Sequence, residues 1–395
     1  MNDPIDQQEL SWKPHSIRQS DGRGGEVCHP AKFRFVPQWH GLKVTPYGLA
    51  QMDNGEIALI GVAYRGNHEY DEKTVIGFSG DGGAMWSAYQ PVEGHLGRPT
   101  ILTYLGRGEL TFASGRGSAG GGNDKYSSHD YGRTWQCEPR QLASNGEPFN
   151  TEGNALVDRD ANGHAERIAE AGCNLTGDPW PFHTANNFLR WSSDDGRTWE
   201  NESQPEAWHC EDTHKGKTVV RGCTEGSLVR AANGDIVAAL RLGMRPHYRE
   251  HPFCSDNFES TAVSISKDDG RTWSPVREVL PPGRMHATLN RLESGDLVMT
   301  VIRRIDIRDG KLVTYRRGCE AVISRDHGRT WDVDRTITLD DFAFCDERNW
   351  VASGESTIPR CGHQYSIALT DGSILTGYGN YSAGGALIHW EPPAA

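Results

Sequence analysis

Twelve side chains in this 395-residue sequence have the types and spacing to do chemistry. Arg65, Arg116, Arg241 and Arg303 each follow a short apolar run, and Arg304 stands beside the last of them. A guanidinium holds a carboxylate bidentately. Four of them at equivalent points of a repeated frame would line a pocket for an acidic sugar. Arg98, Glu152, Glu225, His286, His363 and Tyr365 fall instead at the starts of strand-like runs, and His68 follows Arg65 closely. Carboxylates, imidazoles and a phenol are the groups that move protons or attack carbon in enzymes.

What positions these groups is a repeat. The pattern Ser-x-Asp-x-Gly-x-Thr-Trp occurs at Ser128 to Trp135, Ser192 to Trp199, Ser266 to Trp273 and Ser324 to Trp331. A weaker copy runs from Ser79 to Trp86, with Met85 in place of the threonine. Self-similarity at long, fairly regular spacing marks a repeat array. Within each copy the central Asp and Gly suit a tight turn, the Gly by accepting positive φ. β-Branched runs such as Ala262-Val263-Ser264-Ile265 precede it and read as strands, and the closing Trp buries a large ring. The box aspartates are therefore structural and not candidates for catalysis.

These boxes resemble the Asp-box repeats of the sialidase (neuraminidase) superfamily. The resemblance spans roughly residue 40 to the end and implies an all-β, six-bladed β-propeller. Six modules can be counted along the chain, opening near Gly48, Pro99, Glu152, Glu225, His286 and Tyr365, although only five carry a box. Asn54-Gly55, Asn233-Gly234 and Asp371-Gly372 supply hairpin turns. Residues 1–30 read as an irregular segment, and 31–395 as one propeller. The stretch Lys32 to Trp39 reads as a strand that could join the last blade beside Ala386 to Trp390. The regions 138–150, 173–186 and 203–222 read as loop insertions.

In a propeller the starts of inner strands and the ends of second strands converge at one mouth of the axis. The resemblance implies roles there. Tyr365, opening Tyr-Ser-x-x-Leu-x-Asp-Gly, matches the sialidase nucleophile, Glu225 the base that activates it, and Arg241 an anchor for the substrate carboxylate. A phenol of pKa about 10 needs such a carboxylate beside it. Arg65, Arg116, Arg303, His68, His363 and Arg98 would be further substrate contacts. Glu152 and His286 are candidates for the acid/base. The sequence also departs from the family pattern. Lys43-Val44-Thr45-Pro46 holds no arginine where sialidases open blade one, Val62 to His68 holds no carboxylate, and Tyr378-Gly379 holds no glutamate. The implied activity is exo-hydrolysis of a terminal acidic sugar from an acidic oligosaccharide or glycoconjugate. Two alternatives stay open. One is a lyase on uronate polymers, using His286, His363, Tyr365, Arg241 and Arg303. The other is a carbohydrate-binding propeller without catalysis.

Composition narrows the rest. A net charge of −12 disfavours a nucleic-acid surface. No apolar run is long enough for a membrane span. The opening residues, Met1-Asn2-Asp3-Pro4-Ile5-Asp6, have neither the basic nor the apolar region of a signal peptide. This points to the cytoplasm, or to a leader already removed. Nine scattered cysteines favour free thiols. No cofactor is expected. His247, His251 and Cys254, and the group His209-Cys210-Glu211-Asp212 with His214, contain ligand types without a standard zinc spacing. Asn174-Leu175-Thr176 matches a glycosylation sequon, which has no meaning without secretion.

Overall fold

The structure, a computed structural model, describes residues 11–65, 73–96, 98–114, 124–138, 142–147, 149–176, 184–251, 256–308, 311–345, 363–380 and 384–394. They form a six-bladed β-propeller, with short 3-10 turns as the only helical pieces among them. No described helix is long and apolar enough to cross a membrane.

Each blade is an antiparallel meander whose innermost strand lines the axis. Blade 1 runs Lys43–Gln51, Ile57–Tyr64, Lys73–Ser79 and Gln90–Leu96. Blade 2 begins at Pro99–Gly106, blade 3 at Leu156–Arg159, blade 4 at Lys217–Arg230 and blade 5 at Arg284–Arg291. Blade 6 holds Gln364–Ala368, Ile374–Asn380 and Gly384–Trp390. The second strands of blades 1 and 4 are buried along their whole length. They therefore read as continuous apolar runs, because neighbouring blades cover both faces.

The fourth strand of blade 6 comes from the other end of the chain. Glu26–Phe35 pairs with Gly384–Trp390, placing Phe33 opposite Ile388 and Phe35 opposite Ala386. The strand expected at Lys32 to Trp39 thus exists, but starts earlier and stops at Phe35. Its hairpin partner, Lys13–Ser20, reaches the outer strand of blade 5, with Arg18 opposite Thr338. Blades 5 and 6 thereby share one continuous sheet. Residues 13–35, mostly inside the stretch expected to be irregular, are largely this hairpin. Their polar lettering reflects an outer position where much of the strand faces solvent.

The same closure explains why six modules carry five boxes. In blades 1 to 5 the box turn joins the third strand to the fourth. In blade 6 those two strands come from opposite ends of the chain, so no turn exists for a box to occupy. Two expected insertions also proved regular. Ala165–Thr176 and Thr184–Ser192 run into the 173–186 region, and His209–His214 adds a fifth strand to blade 4 within 203–222.

The boxes themselves are closed hydrogen-bond units. Ser266 Oγ donates to Asp268 Oδ1 at 2.9 Å and accepts from Gly270 N at 2.8 Å. Asp268 accepts from Thr272 N at 2.8 Å and Thr272 Oγ1 at 2.6 Å, four residues on. Gly270 takes φ +82. Trp273 Nε1 donates to Gly270 O at 3.1 Å. The weak box keeps all of this except the threonine hydroxyl bond.

Candidate active site

Backbone bulges aim the axial side chains. The inner strand of blade 4 slips register between Thr224 and Ser227, and that of blade 5 between Met285 and Thr288. Glu225 and His286 sit in these slips with φ of 42° and 53°. Left-handed backbone at a non-glycine residue costs roughly 1–3 kcal/mol and clusters at functional sites. Tyr47 occupies the corresponding slip of blade 1, between Pro46 and Gly48. Close blade contact does the rest. A Cβ on Gly153 would stand 2.1 Å from Gly226 O, so only glycine lets Glu152 approach blade 4. Gln364 ties blade 6 to blade 5 through Nε2 bonds to His286 O (3.0 Å) and Thr300 O (2.8 Å).

The result is a buried polar cluster drawn from blades 1 to 6. His286 Nδ1 lies 2.7 Å from Glu225 Oε2, and Glu225 Oε1 accepts from Arg241 at 2.6 Å. Arg241 also pairs with Asp256, at 3.0 Å, and with Glu259. Arg304 donates to Asp256 at 2.9 Å and to His286 Nε2 at 2.9 Å. Arg98 donates to His363 Nε2 at 2.8 Å and pairs with Glu152. The two imidazoles meet with ring centroids 4.2 Å apart. His363 stacks on Tyr365 at 6.3 Å and 14°, and Tyr47 packs against both.

Protonation follows from these partners. An arginine N–H can only donate, so Nε2 of both His286 and His363 carries a lone pair and the proton sits on Nδ1. Burial lowers His286 to about 4 and His363 well below the usual imidazole value, so both are neutral near pH 7. Burial opposes ionisation of Glu225, but Arg241 and His286 overcome it and hold the carboxyl well below its ordinary range. Burial likewise opposes Asp256, which Arg304 and Arg241 bring down to about 2. In Glu259 burial wins over Arg241, and the carboxyl rises to about 7.

Six of the expected residues are thus brought together: Glu152, Glu225, His286, His363, Arg98 and Arg241. Tyr365 joins them through the aromatic stack; the ring contacts that place it are with Tyr47 and His363, whereas Glu225 is engaged by Arg241 and His286. Arg303 goes elsewhere. It pairs with Glu320 at 2.5 Å and with Asp341, in a network with Arg284, Asp306 and Arg18. Arg65 is exposed at the end of its strand. Arg116 and His68 lie outside the described residues. The sequence reading missed Asp256, Glu259 and Tyr47. Asp256 and Glu259 just precede the third strand of blade 4, which pairs with the end of the second. The rule that picked Arg241 would have found them if extended by one strand.

Glu152, His286 and His363 have ligand atoms within 4.8 Å of one another, close enough for a metal ion. Arg98 and Arg304 occupy those same atoms. A divalent cation would have to displace guanidiniums, so this trio is better read as a hydrogen-bonded array.

No family model matches the sequence, and no curated protein does. Solved structures do match. A protein of unknown function from Dyadobacter fermentans DSM 18053 superposes with TM-score 0.62 at 17% identity, covering 91% of this chain and 98% of its own. Hadza microbial sialidase Hz136 gives 0.56 at 16%, over 88% and 66%. The intramolecular trans-sialidase from Ruminococcus gnavus gives 0.55 at 12%, over 89% and 96%. The fold is shared with sialidases. Identities this low carry the architecture and not the chemistry.

Proposed function

We propose that the axial mouth is the active site of a sialidase-like glycoside hydrolase that releases a terminal acidic sugar. One observation carries the reading: the buried Tyr365 and the half-buried Glu152 and Glu225 stand at one mouth with two neutral imidazoles and three guanidiniums. Tyr365 is the nucleophile. His286 lies against Glu225 and His363 stacks on Tyr365, so Glu225 serves as the fixed negative charge that orients His286. Of the two acid/base candidates, Glu152 fits better. Both nitrogens of His286 are committed, to Glu225 and to Arg304, which leaves Glu152 as the candidate.

Arg241, with three carboxylates around it, organises the acids. Arg98 and Arg304 are better placed to meet a substrate carboxylate, with the exposed Arg65 as an outer contact. Arg303, committed to Glu320 and Asp341, takes no part. The test is turnover of a fluorogenic sialic-acid glycoside by the full chain, beside Tyr365→Phe and Glu152→Gln. Turnover is expected, with a loss of at least about 100-fold in each variant while circular dichroism reports a folded chain. No turnover by the unsubstituted protein on sialosides sinks this reading.

The imidazole pair favours a second reading. Two neutral rings beside guanidiniums are also what abstraction of a proton next to a uronate carboxylate needs. It predicts an unsaturated, ultraviolet-absorbing end when uronate polymers are the substrate, and a hydrolase gives none.

A further inference from the structure

Strands that begin at the axial mouth end at the opposite face, where the hairpin turns and the boxes lie. There the seams between blades differ in how they balance charge. Between blades 3 and 4, Asp158 and the box residue Asp269 meet two arginines. Arg230 reaches Asp158 at 2.6 Å and Asp269 at 2.9 Å, and Arg167 reaches Asp269 at 2.8 Å and Asp158 at 3.0 Å. Two acids and two permanent cations neutralise each other.

The neighbouring seam, between blades 2 and 3, has the acids without the arginine pair. Asp195 stands in the same box position as Asp269, and Glu109 faces it from the second strand of blade 2. Between them sits His164, from the hairpin turn of blade 3. His164 Nε2 is 3.3 Å from Glu109 Oε2 and 3.8 Å from Asp195 Oδ1, and the three ligand atoms lie within 4.8 Å of one another. His129 Nδ1 touches the second oxygen of Glu109 at 3.3 Å. Glu109, His129 and Asp195 line a hollow bordered by Arg197 and by Lys125, whose ammonium is already paired with Glu170 at 3.0 Å.

These separations are long for a charge-assisted hydrogen bond, which closes to about 2.7–2.9 Å. The shorter one matches the edge of a coordination tetrahedron, about 3.3 Å for bonds of about 2.0–2.1 Å to nitrogen and oxygen, and the longer would close by about 0.5 Å on an ion. The donor set, one imidazole and two carboxylates with a fourth position toward solvent, suits a divalent transition metal such as zinc. His129, donating to the far oxygen of Glu109, would hold that carboxylate in its ligating orientation. The neighbourhood is rigid where it must be. A Cβ on Gly106 would stand 2.7 Å from Gly163 O, so the two hairpins press together and fix His164 over blade 2.

We infer that Glu109, His164 and Asp195 form a divalent-metal site that pins blade 2 to blade 3. The ion supplies the positive charge that Arg167 and Arg230 supply one seam further on. The site is remote from the axial mouth, so its test is independent of the proposed activity.

The test uses the full chain, stripped with chelator and titrated with zinc, with cobalt as the spectroscopic probe. One zinc per chain is expected, along with cobalt ligand-field bands and a melting temperature that rises with free zinc by mass action. His164→Ala and the isosteric Asp195→Asn each weaken binding more than about 100-fold, and His129→Ala about 10-fold. Asp195→Asn keeps the test readable if His164→Ala does not fold. No binding at 100-fold excess zinc over protein overturns the inference. So does binding that survives both ligand substitutions, or that is lost instead in His286→Gln at the axial trio.

Discussion

The box turns and the axial mouth are both built from carboxylates and their donors, yet they are satisfied over different distances along the chain. Asp268 finds its partners at Ser266 and Thr272, within the eight residues of its motif. Glu225 needs Arg241 sixteen residues on and His286 from the next blade, and Arg98 meets His363 265 residues away. A turn that is complete in itself can be copied five times and can lose one bond without harm. A mouth that is complete only when the ring closes cannot be edited singly, because removing one partner strands others in the dry interior.

The strongest way to break this contrast is Arg241→Met. It leaves Glu225, Asp256 and Glu259 buried around the place of their shared cation, and breaking such a pair costs about 3–5 kcal/mol. Chemical denaturation should show a loss of that order; a loss near that of a box substitution would erase the distinction. Next in size is a pH effect. Burial holds His95 at about 4, between Phe112 and Tyr126, as it does His286. The unfolded chain takes up these protons near 6.5, before the folded one does. Stability is therefore full above about 6.5 and falls as pH drops toward 4, by up to about 3 kcal/mol for each histidine. His95→Asn should flatten part of the melting-temperature profile in that window, and an unchanged slope would remove His95 from the account.

Smaller effects belong to the boxes. Asp268→Ala removes acceptors for Thr272 and Ser266 at an exposed turn and should lower the denaturation midpoint by less than Arg241→Met does. Met85→Thr runs the other way. Met85 is 72% exposed and stands where the other boxes place the threonine whose hydroxyl donates to the aspartate. Restoring that bond to Asp81 should add about 0.5–1 kcal/mol. A thermal melt resolves either sign.

The same contrast decides what could be read from sequence. The boxes are local, so the propeller was legible from eight-residue words. The mouth was legible where a side chain opens an inner strand, because all six blades share that geometry; Glu152, Glu225, His286 and His363 were found this way. Beyond that the signal weakens. Arg303 and Arg304 are neighbours, and successive residues of a strand point to opposite faces. Only one could reach the axis, and the letters did not say which: Arg304 holds His286 and Asp256, whereas Arg303 turns to Glu320. The hairpin of residues 13–35 was hidden for a different reason. Its partners lie more than 300 positions away, and its outer, half-wet location leaves no apolar rhythm to detect.

That hairpin also sets an order of events during synthesis. Residues 26–35 leave the ribosome hundreds of residues before the strand they complete, Gly384–Trp390. Until then an early-made edge waits with its hydrogen bonds unspent, and such edges invite pairing with other chains. Its exposed glutamate, lysine and proline, at Glu26, Lys32 and Pro30, are residues that discourage that pairing. The later strand is therefore the one that releases the earlier from waiting, and nascent chains stalled before residue 384 should be the ones chaperones hold.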